Sequence, residues 1–171
     1  MVKKAIATFL QRKKQMKPHQ IIRVTKSFTF EMAHALAGYD GDCHNIHGHS
    51  YKLHVTLRGM PLDESGNPKD GMVMDFSILK KLVKENVLDT YDHALVLNAS
   101  TSSQVVAELS KHYRKVVSLP FQPTCEHLLL DIVEKVQLNL PPAVELFMAR
   151  LFETETAFAE WCSEDEIGIC P

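Results

Sequence analysis

The chain has 171 residues, 45% of them hydrophobic and 23% charged, with a formal net charge of −2. That is the length of one domain burying about two-thirds of its unfolded surface, and its near-neutral balance argues against nucleic acid as a partner. No apolar run approaches the roughly 20 residues that span a membrane, and the four cysteines form no CxxC pair and follow no secretory signal, so free thiols in a reducing cytoplasm are expected.

Residues 1–19 read as a basic N-terminal extension. Eight Lys or Arg fall within the first 30 positions, and no acid precedes Glu31. Residues 2–17 fit a basic amphipathic helix with Ala5, Ile6, Phe9, Leu10 and Met16 partly on one face, read as a solvated segment that Pro18 ends. The folded domain is expected over residues 20–171.

From Ile21 the pattern switches to period two. Ile22, Val24, Phe28, Phe30, Met32 and His34 share one parity, which predicts a half-buried strand with His34 at the end of its apolar face. His47, His49, Tyr51, Leu53, Val55 and Leu57 repeat the pattern in a second strand, while His54 takes the opposite parity and reads as a surface residue. A turn-rich loop runs from Met60 to Gly71. Asp75 then caps a helix through about Asp89, with Phe76, Leu79, Leu82, Val83 and Val87 inward. A short helix is expected within 97–112 and a short strand over 114–119. Thr124 opens a second long helix, buried through Leu128, Leu129, Ile132, Val133 and Val136 and stopped by Pro141-Pro142. A last strand runs from Val144 to Phe152. Strands, then helices, then a strand predict an α+β domain with helices over an antiparallel sheet.

The chemistry concentrates in Cys43-x-x-x-His47-Gly48-His49, with His34 upstream. If the first two strands pair antiparallel, three imidazoles meet on one face. Three neutral imidazoles leave Zn²⁺ an open position for water or substrate, as catalytic sites require. Cys43 has two readings: a general base or nucleophile, since a nearby dication favours a thiolate, or a fourth ligand closing a structural Cys-His₃ site. Asp92-His93 follows the first helix and is an acid–base candidate. Glu126 lies in the first turn of the second long helix, where a carboxylate complements the helix dipole. Glu153 ends the last strand on the face of Phe147, Ala149 and Leu151, where it could bind a base-like ligand through paired hydrogen bonds or simply end the strand. No Walker A, GxGxxG or GxSxG motif is present.

These motifs occur in order between residues 23 and 161: Phe30-x-x-Ala33-His34, Cys43-x-x-x-His47-Gly48-His49, Gly71-Met72-Val73-Met74-Asp75-Phe76, Asp92-His93 with Leu97-Asn98, Pro123-Thr124-x-Glu126, and Glu153-Thr154. Each alone is weak, but together and in register they resemble the 6-pyruvoyltetrahydropterin synthase family. The three-residue gap between Cys43 and His47 resembles its bacterial 6-carboxytetrahydropterin synthase branch, of queuosine biosynthesis. The resemblance implies the tunnelling fold: a four-stranded antiparallel sheet carrying two helices on one face, closed into a barrel by oligomerisation as a homohexamer with active sites at subunit interfaces. It implies zinc on His34, His47 and His49, Cys43 as catalytic base, an Asp92–His93 relay, and Glu153 anchoring the pterin ring. Glu126 matches a motif position and is placed with Glu153 among the substrate-binding residues. The implied substrate is 7,8-dihydroneopterin triphosphate, with no external redox cofactor. A pyruvoyl-forming enzyme of the same fold and a non-catalytic zinc module are the alternatives. Met32 and Tyr91 depart from the usual pattern, and residues 99–119 exceed a minimal family member.

Overall fold

The structure, a computed structural model, describes residues 20–165; the basic extension at 1–19 lies outside the described residues. Strands β1 (Ile22–His34) and β2 (His47–Gly59) pair antiparallel along their whole length, from Ile22 opposite Gly59 to His34 opposite His47. The alternation explains why they pair this way. Phe28, Phe30 and Met32 are buried on β1, and Tyr51, Leu53, Val55 and Leu57 are fully buried on β2, all on one face.

Helix α1 (Phe76–Val83) starts where the Asp75 carboxylate accepts a hydrogen bond from the Ser77 N–H at 2.8 Å. Lys69 bonds the same carboxylate, and these contacts hold it well below the usual carboxylate range. The helix continues through a wide turn over Lys84–Leu88 and a last turn at Asp89–Tyr91, delivering the chain to Asp92. Strand β3 (Ala94–Asn98), helix α2 (Ser103–His112) and strand β4 (Val116–Leu119) follow. Helix α3 (Cys125–Asn139) is capped by Thr124, whose hydroxyl accepts from the His127 N–H. Strands β5 (Glu145–Phe152) and β6 (Phe158–Cys162) complete the domain.

The six strands form one sheet in the order β4-β3-β1-β2-β5-β6. The expected four-stranded antiparallel unit is β1-β2-β5-β6. Beyond it, β3 and β4 extend the β1 edge with two parallel strands. β3 and β6 were absent from the sequence expectation because each spans five residues without a clean alternation. Buried residues of α1 and α3 join those of β1, β2 and β5 in one core. Phe76, expected inward, is 45% exposed. As the first residue of α1 it precedes the turns that face the core, and Lys26 stands over its ring. Among the described residues no helix is long and apolar enough to cross a membrane.

Leu128, 1% exposed, joins α3 to the core. Leu128→Ala should destabilise the domain by about 2–5 kcal/mol in urea denaturation, whereas removing the outward Leu130 should cost under about 0.5 kcal/mol.

Candidate metal centre and active site

The β1–β2 register brings His34, His47 and His49 together: His34 lies opposite His47, and His49 opposite Met32. One ring nitrogen from each imidazole falls within 4.8 Å of the others. The three imidazoles meet on one face, as the parity of the two strands predicts. His54, of opposite parity, stays outside the cluster and is half-covered, its ring 5.1 Å from that of Phe152 rather than free on the surface.

The hydrogen bonds around the cluster fit a cation. The His34 Nδ1–H donates to the Pro123 carbonyl at 2.7 Å, and the His47 Nδ1–H donates to the Asn45 carbonyl at 2.8 Å. A carbonyl only accepts, so each bond fixes the proton on Nδ1 and leaves Nε2 as a lone pair. Those two lone pairs face each other at 3.1 Å. A shared proton would need a charged imidazole, but burial pushes His34 below its ordinary pKa. His49 Nε2 is buried without a hydrogen-bond partner. Two facing lone pairs, their opposite nitrogens tied to backbone carbonyls, with a third imidazole beside them, make a group that could hold a metal ion.

Cys43 sits in a short helical turn, Asp42–His44, within the loop joining β1 to β2. The Leu36 N–H donates to the Cys43 carbonyl at 2.9 Å, and Gln122 clasps the same loop by bonding both the N–H and the C=O of Ala37. The Cys43 thiol is partly buried and lies outside the group of converging ligand atoms. Gln122, which ties the thiol's loop to the segment before α3, was missed by the sequence analysis. A clasp formed across 85 residues has no local signal.

Glu153 stands next to the cluster. Its Oε1 is 3.7 Å from Nε2 of both His34 and His49, and the Tyr51 hydroxyl donates to it at 3.2 Å. Tyr51 is fully buried, and its ring stacks on Phe30 with centroids 5.1 Å apart. Burial and the neighbouring carboxylate push its phenol far above the ordinary value, so Tyr51 remains a neutral donor. Tyr51 thus orients the Glu153 carboxylate. Its signal was its parity, two residues beyond His49.

Asp92 and His93 form the expected pair, with the His93 Nδ1–H donating to Asp92 Oδ1 at 2.8 Å. Their side chains are 41% and 78% exposed, and among the described residues neither bonds to the three imidazoles or to Cys43. His93 faces a cavity of about 900 Å³, which His49 of the cluster also lines, together with Glu31, Ala33, Ser50 and residues of α2 and the turn before β4. Glu31 and Ser50 have the parity opposite to His34 and His49, and they bond each other at 2.7 Å. Glu126 is exposed in the first turn of α3 and forms no hydrogen bond or ion pair among the described residues.

Residues 23–164 match the profile of 6-pyruvoyl tetrahydropterin synthase. The chain belongs to that family. It is similar to the 6-carboxy-5,6,7,8-tetrahydropterin synthase of Haemophilus influenzae, 38% identical over 143 residues that cover 82% of this chain and 99% of the relative. The enzyme of the same name from Rickettsia bellii is 30% identical, with the same coverage of both chains. Among solved structures, the 6-pyruvoyl tetrahydropterin synthase of Caenorhabditis elegans matches with a TM-score of 0.59 at 25% identity, covering 86% of this chain and 99% of that one. An uncharacterized protein from Wolinella succinogenes shares the fold, with a TM-score of 0.67 at 18% identity and coverage of 85% and 99%.

The cluster should hold about one divalent ion per chain. His34→Ala or His47→Ala should remove it on dialysis, and His54→Ala should leave it in place; atomic emission of the purified proteins reads the outcome.

Proposed function

We propose that this chain is a zinc-dependent 6-carboxy-5,6,7,8-tetrahydropterin synthase. With one water, it converts 7,8-dihydroneopterin triphosphate to 6-carboxy-5,6,7,8-tetrahydropterin, releasing acetaldehyde and triphosphate, as a cytoplasmic enzyme of queuosine biosynthesis. The observation that carries this reading is the open three-imidazole cluster with the Glu153 carboxylate beside it. Support comes from the synthases of that name that this chain matches over nearly their whole length. The position of Cys43 outside the converging ligand atoms favours a base over a fourth ligand, and so an open catalytic site over a closed structural one.

In this reading His34, His47 and His49 hold Zn²⁺, which supplies a Lewis acid that makes a substrate hydroxyl more acidic. Glu153, held by the Tyr51 hydroxyl, takes the 2-amino and ring N–H groups of the pterin through paired hydrogen bonds. That fixes the side chain of the substrate over the cluster. Cys43 removes a carbon-bound proton as thiolate, on a loop that Gln122 keeps rigid. His93, oriented by Asp92, moves protons at the side-chain oxygens.

The exposure of the dyad leaves room for a site completed between subunits of a homohexamer. Glu126 takes no step in this scheme. Its carboxylate complements the N-terminus of α3.

Purified, metal-loaded protein incubated with 7,8-dihydroneopterin triphosphate should yield the carboxylated pterin by mass spectrometry together with acetaldehyde. A pyruvoyl product would transfer the chain to the sister activity. Cys43→Ala should retain the metal and lower turnover about 10²–10⁴-fold. Loss of the metal in that variant would make Cys43 a ligand and overturn its role as base.

A further inference from the structure

Between the Asp92–His93 pair and Pro123 the chain builds β3, α2 and β4, a unit that the chemistry above does not use. It walls the cavity that His93 faces, through Leu109, Tyr113 and Lys115. Lys115 is half-buried just before β4. Its carbonyl accepts the Leu95 N–H at 2.9 Å, which ties its backbone to β3. Its side chain reaches back 23 residues, and the ammonium donates to the carbonyl oxygen of Asp92 at 2.6 Å.

That carbonyl belongs to the peptide unit leading into His93, and His93 has φ +58, the one non-glycine residue with a positive φ among those described. Such a conformation persists in a histidine only where surrounding bonds impose it. Both polar groups of the peptide unit are held. The His93 N–H donates to the Glu31 carbonyl at 2.6 Å, and the Asp92 carbonyl takes the Lys115 ammonium. The Asp92 carboxylate in turn accepts the Glu31 N–H at 3.1 Å and the His93 Nδ1–H. Strand β1 therefore grips one side of the turn, and among the described residues Lys115 alone supplies a side-chain grip on the other.

We infer that Lys115 is a positioning residue for His93: its ammonium locks the Asp92–His93 peptide plane and so fixes the direction and tautomer of the imidazole. The inference rests on the relay role given to His93 above. A charge-assisted bond to a carbonyl is stronger than a neutral one and needs a donor of this length and charge. Lys115→Met keeps the stem and removes the donor, while Lys115→Arg keeps a cationic donor.

Lys115→Met should lower kcat about tenfold to a hundredfold with KM changed less than about threefold, since a misplaced proton carrier costs the chemical step rather than binding. Lys115→Arg should recover most of the loss, and both variants should keep full metal content. In a His93→Asn background, Lys115→Met should add no further loss, because it acts through the imidazole. A raised KM with unchanged kcat would overturn the inference and make Lys115 a substrate ligand. An equal loss in both backgrounds would also overturn it. Wild-type turnover in His93→Asn would remove the relay reading itself, a result distinct from either.

Histidine-selective ¹⁵N NMR gives a readout without turnover. His93 should carry its proton on Nδ1 in the wild type and Lys115→Arg, and revert to the common Nε2–H tautomer in Lys115→Met. An unchanged tautomer in Lys115→Met sinks the proposal.

Discussion

The long antiparallel pairing of β1 with β2 is the constraint on which the rest of the molecule depends. Its register runs without interruption from Ile22 opposite Gly59 to His34 opposite His47. Because side chains alternate faces, a slip of one residue would turn every imidazole away from the core and every buried aromatic toward water. Phe28, Phe30, Met32, Tyr51, Leu53, Val55 and Leu57 all oppose that slip through the apolar surface they bury. The hydrophobic core thus sets the geometry of the candidate metal centre: the three imidazoles are the polar end of its apolar face.

Ending an apolar face in histidines has an electrostatic cost that the surroundings must offset. Desolvation lowers the pKa of His34, and the carbonyls of Pro123 and Asn45 take the Nδ1 protons that would otherwise lack partners. What remains is a pair of nitrogens facing each other at 3.1 Å, in a group that could hold a metal ion. The carbonyl of Pro123 comes from the turn before α3, so the helix cap and the ligand orientation share one short segment. Gln122, in that segment, also clasps the Cys43 loop. Ligand orientation, thiol placement and the start of α3 are therefore mechanically coupled.

The Asp92–His93 pair is built by different means. It follows a helix whose wide turn at Lys84–Leu88 shifts the phase of the chain, and it takes a left-handed residue to leave β1's edge and enter β3. Nothing in the core holds it; backbone bonds to Glu31 and the reach of Lys115 do. His34 is buried and His47 and His49 are half-buried, whereas the dyad is exposed.

Much of the candidate site was legible in the residues because period-two alternation is a local property. Parity alone assigned His34, His47 and His49 to one face and His54 to the other, and the helix caps at Asp75 and Thr124 followed from their side chains. The α+β class and the four antiparallel strands' core pair were legible for the same reason. Short strands such as β3 and β6 were not, because five residues carry too little periodicity to separate a strand from a turn. Phe76 turned outward because its place in the first turn, not its hydrophobicity, decides its direction. Gln122 and Lys115 act across 85 and 23 residues through single hydrogen bonds. The sequence by itself determined which side chains share a strand face, and so which imidazoles meet. Only the tertiary structure decided which distant groups orient them, because those contacts depend on where separate elements come to rest, and no local pattern encodes that.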